Sequence, residues 1–258
     1  MRPRIALAVL AAALMPGLSV AAPGQHLVPP APVRPAVHLV DQTYEAAADP
    51  VDFLFQLGLL EGHLMIGHEL LQAGKTGLAM PHFGHPVREL YDDIADYLKA
   101  NKVPPFEADL IRLEAAVAKA PKAAETEALF QSVIATVHRA RATTPEALRD
   151  TIPAMIRICS DTLDTASGEF GEAIVRGRVE QLVEYHDSRG FIAFVTAETE
   201  RLAGLAKTQA DQALVASFRT ILAKAQWIVA PLLPDPAPRA SVTQYRAIAA
   251  EAAALAKR

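Results

Sequence analysis

Proline sets the grain of this chain. Its 19 prolines fall mostly between long apolar stretches, not inside them. A proline has no backbone N–H and a fixed φ, so it opens or ends helices and is excluded from central strands. Asp49-Pro50, Pro81, Pro86, Pro104-Pro105, Pro121, Thr144-Pro145 and the run Pro231, Pro234, Pro236, Pro238 cut residues 49–258 into helix-length pieces. The predicted helices are 50–73, 86–100, 106–119, 123–142, one from 145 kinked at Pro153, 169–206, 209–230 and 241–257. Residues 81–86 read as a short histidine-bearing connection between two of them. No Asn-Gly or Asp-Gly pair occurs and no stretch alternates at period two, so no significant sheet is expected. The predicted fold is all-α, an up-and-down bundle of about seven or eight helices that bury their apolar stripes on one another.

The first 48 residues read differently. Arg2 and Arg4, the apolar run 5–14, the break at Pro16-Gly17 and the small residues Ser19 and Ala21 have the order of a cleaved export signal, residues 1–21. Residues 22–48, with Pro23, Pro29, Pro30, Pro32 and Pro35, are expected to form an extended leader, and residues 49–258 the helical-bundle domain. Loss of Arg2 and Arg4 would take the net charge from −4 to −6, a poor match to a nucleic-acid backbone. No later stretch has the uncharged length of a membrane span. The expected address is therefore periplasmic or otherwise extracytoplasmic, with an envelope protein as the class of partner that address allows. The sequence does not set an oligomeric state.

The single cysteine, Cys159, excludes disulfide frameworks and multi-cysteine metal sites. No nucleophile elbow, phosphate-binding glycine loop or haem-attachment motif is present either. Histidine is left as the informative chemistry, and four of the eight fall between His63 and His85. On a helix at about 100° per residue, Glu61 and His68 lie about 20° apart but two turns distant, whereas His63 stands about 140° from His68. His63 and His68 therefore cannot both face one small site from a straight helix. Gly58 and Gly62 share a further side and admit close helix packing. Helix 50–73 is apolar nearly all round, as a central helix is. Its Glu61 needs either a metal or an internal partner, because an unpaired buried carboxylate is costly.

His82, His85 and Glu89 form a second group, in which a turn leading into a helix could gather the three side chains around a cation. Imidazole with carboxylate suits iron, copper, zinc or manganese better than calcium. The same residues could instead form a cap and salt-bridge cluster, with Arg88 pairing to Glu89 or Asp92. Farther along, Glu180, Glu184 and Asp187 form an acidic edge beside an apolar face centred on His186. That edge either meets the histidines or stays solvated beside Arg176, Arg178 and Arg189. His186 is expected to be a satisfied core histidine, and Gly190 a point of close packing. The candidate metal ligands are thus His68, His82, His85, Glu89, Glu61, His63, Glu184 and Asp187.

The strings Gly62-His63-Leu64, His82-x-x-His85-Pro86 with Glu89-Leu90-Tyr91, and 184–191 (EYHDSRGF) resemble a largely uncharacterised family of exported bacterial helical proteins. These are similar in type to the imelysin-like periplasmic proteins linked to iron uptake. The Gly-x-His-x-x-Glu signature of those proteins is incomplete here, since Ile66 stands where the glutamate belongs. The expected function is binding of a divalent transition metal for uptake, storage or delivery. An exported structural or interaction module is the alternative, and a metal-dependent enzyme stands behind both, because no substrate pocket or open coordination position is legible in a sequence.

Overall fold

In a computed structural model, residues 49–257 are described; the expected export signal (1–21) and expected leader (22–48) lie outside the described residues. Helix α1 (Pro50–Gln72) starts where Asp49 caps it, its Oδ1 accepting the Val51 N–H at 2.8 Å with Pro50 in the first turn. Then follow α2 (Thr76–His85), a π-helical turn (Pro86–Leu90), α3 (Tyr91–Ala100), α4 (Glu107–Lys119), α5 (Ala124–Arg141) and the single turn α6 (Glu146–Arg149). The second half holds α7 (Ile152–Ala173), β1 (Ile174–Val175), β2 (Arg178–Val179), α8 (Leu182–Leu205), α9 (Gln209–Ile228) and α10 (Val242–Leu255). Almost everything is helix, and among the described residues none of the helices is long and apolar enough to cross a membrane.

Three local predictions need correction. The expected helix 169–206 is two helices, because Arg176 (φ 52°) and Gly177 (φ 77°) turn the chain back through an antiparallel pair, Ile174 with Val179 and Val175 with Arg178. Two consecutive positive φ values are what a two-residue hairpin turn needs, and Gly177 supplies the second without steric cost. Residues 81–86 are not a connection: α2 carries Pro81 within it and runs into the π turn at Pro86, whose missing N–H removes one α-helical bond. Pro153 does not kink a helix but occupies the first turn of α7. Together with the separate turn α6, these changes give more helical pieces than the seven or eight expected.

Helices α7, α8, α9 and α10 pack as a bundle, and α1 lies along α8. The α1–α8 approach is set by glycine. A Cβ on Gly190 would lie 2.4 Å from the Gly62 carbonyl oxygen, and one on Gly62 would meet the Phe191 ring at 2.8 Å. One turn earlier, Gly58 accommodates the edge of Phe194. Helix α2 leans on α1 at Gly67, where the Phe83 ring and the Cβ of His82 close in. Buried on nearly every side, α1 is the axis on which both halves of the molecule meet. Gly168 in α7 is different, since nothing lies within 4 Å of an added Cβ. Gly168→Ala is therefore expected to raise stability by roughly 0.5–1 kcal/mol through lower unfolded-state entropy, seen as a higher denaturant midpoint with unchanged m.

Candidate metal centre

Each donor of the centre is placed by a packing feature already described. The Gly62–Gly190 contact brings α1 and α8 close enough for His63 and Asp187 to meet, Nδ1 to Oδ1 at 2.7 Å. The lean of α2 over Gly67 delivers His82, whose Nδ1 also stands 2.7 Å from Asp187 Oδ1. His85, three residues on and on the same side of α2, presents Nδ1 at 3.4 Å from Asp187 Oδ2. One potential ligand atom from each of His63, His82, His85 and Asp187 fits within a mutual separation of 4.8 Å. Three of the four residues are buried, and His85 is the most exposed, with 17% of its side-chain surface accessible.

The contacts are close, yet hydrogen bonding satisfies only part of them. His82 Nδ1 hydrogen-bonds to Asp187, but buried Nδ1 atoms of His63 and His85 have no aligned partner despite their proximity to the same carboxylate. Buried polar atoms are rarely left so. Three imidazole nitrogens converging on one carboxylate, two of them unaligned for hydrogen bonding, have the donor set and spacing that a divalent transition metal takes up. The electrostatics point the same way. Burial opposes ionisation of Asp187 more than any other single influence, but the three histidines together outweigh it and hold the carboxyl well below its ordinary range. Burial pushes His82 down, favouring the neutral ring a metal requires, while the nearby Asp187 carboxylate pulls His85 up.

The other sequence candidates lie elsewhere. His68 points away from the centre, stacks on Phe130 with ring centroids 4.1 Å apart, and pairs through Nε2 with Glu127 at 2.8 Å. That outcome follows from the 140° between His63 and His68: one faces α8, so the other faces α5. Glu61 takes the internal partner, His138 Nε2 at 2.9 Å, with Arg141 Nη2 at 3.9 Å. Glu89 reaches only to 3.8 Å from His85 Nδ1 and is over half exposed, so it stands at the rim. Glu184 is absent from the donor group and belongs instead to a set of nearby carboxylates whose charges repel.

Among those is Glu169 of α7, which sequence reasoning did not single out. Burial, then the negative charges of Asp187, Glu184, Glu89 and Glu172, push its carboxyl up to about 7 from an ordinary 4.5. A value raised on folding gives stability that is complete below the unfolded value and lost as pH rises through about 7. Glu169→Gln is therefore expected to be more stable than the parent at mildly alkaline pH, by about 1 kcal/mol after allowance for solvent screening. The difference should vanish at acidic pH, and denaturant melts across that range check it.

Comparison with known proteins adds one finding. Residues 145–256, less than half of the chain, match the family model described as the iron permease-associated 4-helix bundle domain. No curated protein and no solved structure matches the chain. The match corrects the imelysin-like resemblance, which rested on short strings and an incomplete motif. It spans α6 to α10, the bundle that carries Asp187; His63, His82 and His85 come from the preceding helices.

Proposed function

We propose that this chain binds one divalent transition metal ion at His63, His82, His85 and Asp187 and holds it for uptake, storage or delivery. The observation that carries this is the convergence of three Nδ1 atoms on one buried carboxylate, two of them without an aligned hydrogen bond. Bound there, the ion would supply a point charge that satisfies all four donors at once. Iron is the first metal to test, since the matched family is described as iron permease-associated. Were the ion zinc, four protein donors would fill its tetrahedral shell, which favours carriage over catalysis because catalytic zinc sites keep a position open. The charge pattern and small residues of positions 1–21 support an extracytoplasmic setting, where an envelope protein would be the source or recipient of the ion.

Equilibrium dialysis of the full chain against ferrous, manganous, zinc and cupric ions tests the proposal. The expected result is one ion per chain at micromolar or tighter affinity, lost in a His63→Ala/His82→Ala double variant. Absence of such binding in the parent protein, or its survival in the double variant, would count against the centre.

A further inference from the structure

His186 has no part in the donor group, yet it is fully buried beside it. Its Nε2 lies 2.9 Å from the Leu232 carbonyl oxygen. A carbonyl only accepts, so this nitrogen carries the proton and Nδ1 of a neutral His186 bears a lone pair. That Nδ1 is buried and has no partner. The ring of His82 packs edge-on against that of His186, with centroids 5.7 Å apart and planes at 79°. The Nε2 of His82 is likewise buried and without a partner. Two orphaned nitrogens on neighbouring buried rings call for an explanation, because each leaves a desolvated polar atom unsatisfied.

The tautomers supply one. With no cation bound, the ionised Asp187 accepts from His82 Nδ1, so a neutral His82 keeps its proton there and its Nε2 is bare. Both orphaned nitrogens are then acceptors, and they cannot satisfy each other. Ligation through Nδ1 reverses this: the Nδ1 position passes to the metal and the one remaining ring proton must sit on Nε2. His82 keeps the same proton count, with the proton moved from one nitrogen to the other. His82 then carries a donor on a ring packed edge-on against that of His186, whose Nδ1 is an unused acceptor.

Resting on the metal-centre reading above, we propose that His186 is the positioning partner of His82, its Nδ1 accepting the Nε2–H that metal ligation imposes. The chain then runs from the ion through His82 and His186 to the Leu232 carbonyl. It fixes the His82 ring and raises its basicity as a ligand, as partners of metal-bound histidines generally do. The end of that chain is itself held firmly. Tyr185 Oη donates to the Pro231 carbonyl, and Arg189 Nη1 donates to the carbonyls of Val229 and Ala230 at 2.7 and 2.6 Å. Residues of α8 that flank the ligand Asp187 thereby anchor the start of the α9–α10 connector, and His186 joins that anchor to the metal centre.

Cobalt(II) and zinc titrations of the full chain test the assignment. His186→Phe keeps a ring of similar size but no acceptor, and is expected to weaken cobalt binding about 10–100-fold and to shift the visible d–d absorption. His186→Gln, whose amide can accept from His82 and donate to Leu232, should recover most of the affinity and the parent spectrum. Nitrogen-15 NMR of the zinc-loaded parent should show a coupling across the hydrogen bond between His82 Nε2 and His186 Nδ1, which decides the matter even if the Phe variant does not fold. A His186→Phe protein with parental cobalt affinity and spectrum, or a zinc-loaded parent with no coupling between His82 Nε2 and His186 Nδ1, would overturn the role of His186 and leave the metal centre standing. A parent that binds neither ion would overturn both.

Discussion

Asp187→Asn is expected to cost the protein its tight metal binding. The substitution keeps the shape of the side chain and removes the one negative charge on which His63, His82 and His85 converge. The amide also turns one oxygen into an N–H donor, which faces imidazole nitrogens instead of a cation. Losing a ligand should exceed the 10–100-fold typical of losing an outer partner, so a drop of roughly a hundredfold or more is predicted. Stability should fall as well. Asp187 titrates below its ordinary 3.8 when folded, so its contribution is present at all pH values above the ordinary carboxylate range and disappears as acid protonates it. The variant lacks that contribution at neutral pH. Removing a buried hydrogen-bond partner costs about 1–3 kcal/mol, and the loss should deepen in mild acid, where His85, raised by Asp187, would otherwise charge against it. Metal titration with denaturant melts at neutral and mildly acidic pH measures both effects; parental affinity in the variant would remove Asp187 from the centre.

The second large effect is expected from a methyl group far smaller than any ligand. Gly190→Ala would put a Cβ 2.4 Å from the Gly62 carbonyl oxygen and 2.8 Å from Ile66 Cγ2. The first of these is backbone in the middle of α1, so neither helix can yield locally, and the two must move apart. Overpacking of this kind costs about 1–3 kcal/mol, more where the obstacle is rigid. The same movement separates His63 from Asp187, which now stand 2.7 Å apart, so metal affinity should fall although no donor has changed. Gly204→Ala, at a position in the same helix with nothing within 4 Å, is the control and should retain full binding. A Gly190→Ala protein with parental stability and affinity would show that the close helix approach does not set the centre.

How much of this could be read from the sequence depended on the range of the interaction. Helix starts depended on neighbours: Asp49 with Pro50, and proline spacing, placed α1 and several later helices almost to the residue. Angular arithmetic within α1 separated His63 from His68 and showed that only one of them could reach any given site. It could not say which, because the choice depends on α8 and α5 packing on opposite sides of α1. Glu61 illustrates the same limit. Its partner His138 lies 77 positions away, and nothing local distinguishes a salt bridge from a metal ligand. The hairpin at Arg176-Gly177 escaped notice because an arginine with positive φ is an uncommon turn residue, and two-residue strands have no period to detect. The π turn was equally hidden. Pro81 and Pro86 suggested a break, whereas the chain stays helical through both, and that continuity sets His82 and His85 on one side. Glu169 carried little local signal beyond Glu172 one turn on, since burial and the charges of α8 and the π turn make most of its environment.

The bundle match sharpens where the chemistry is divided. The matched region brings the carboxylate and the histidine behind it, and the N-terminal helices bring the three imidazoles. A metal bound here would tie the two halves together, so loading should raise stability by linkage in proportion to affinity and free-ion concentration.

The most direct measurement is anomalous diffraction from crystals of the full chain loaded with ferrous or zinc ion. One anomalous peak is predicted among His63 Nδ1, His82 Nδ1, His85 Nδ1 and an Asp187 oxygen, with ligand distances of about 2.0–2.2 Å. Loaded crystals with no peak there, or with the ion held only by exposed carboxylates such as Glu89 and Glu184, would contradict the account.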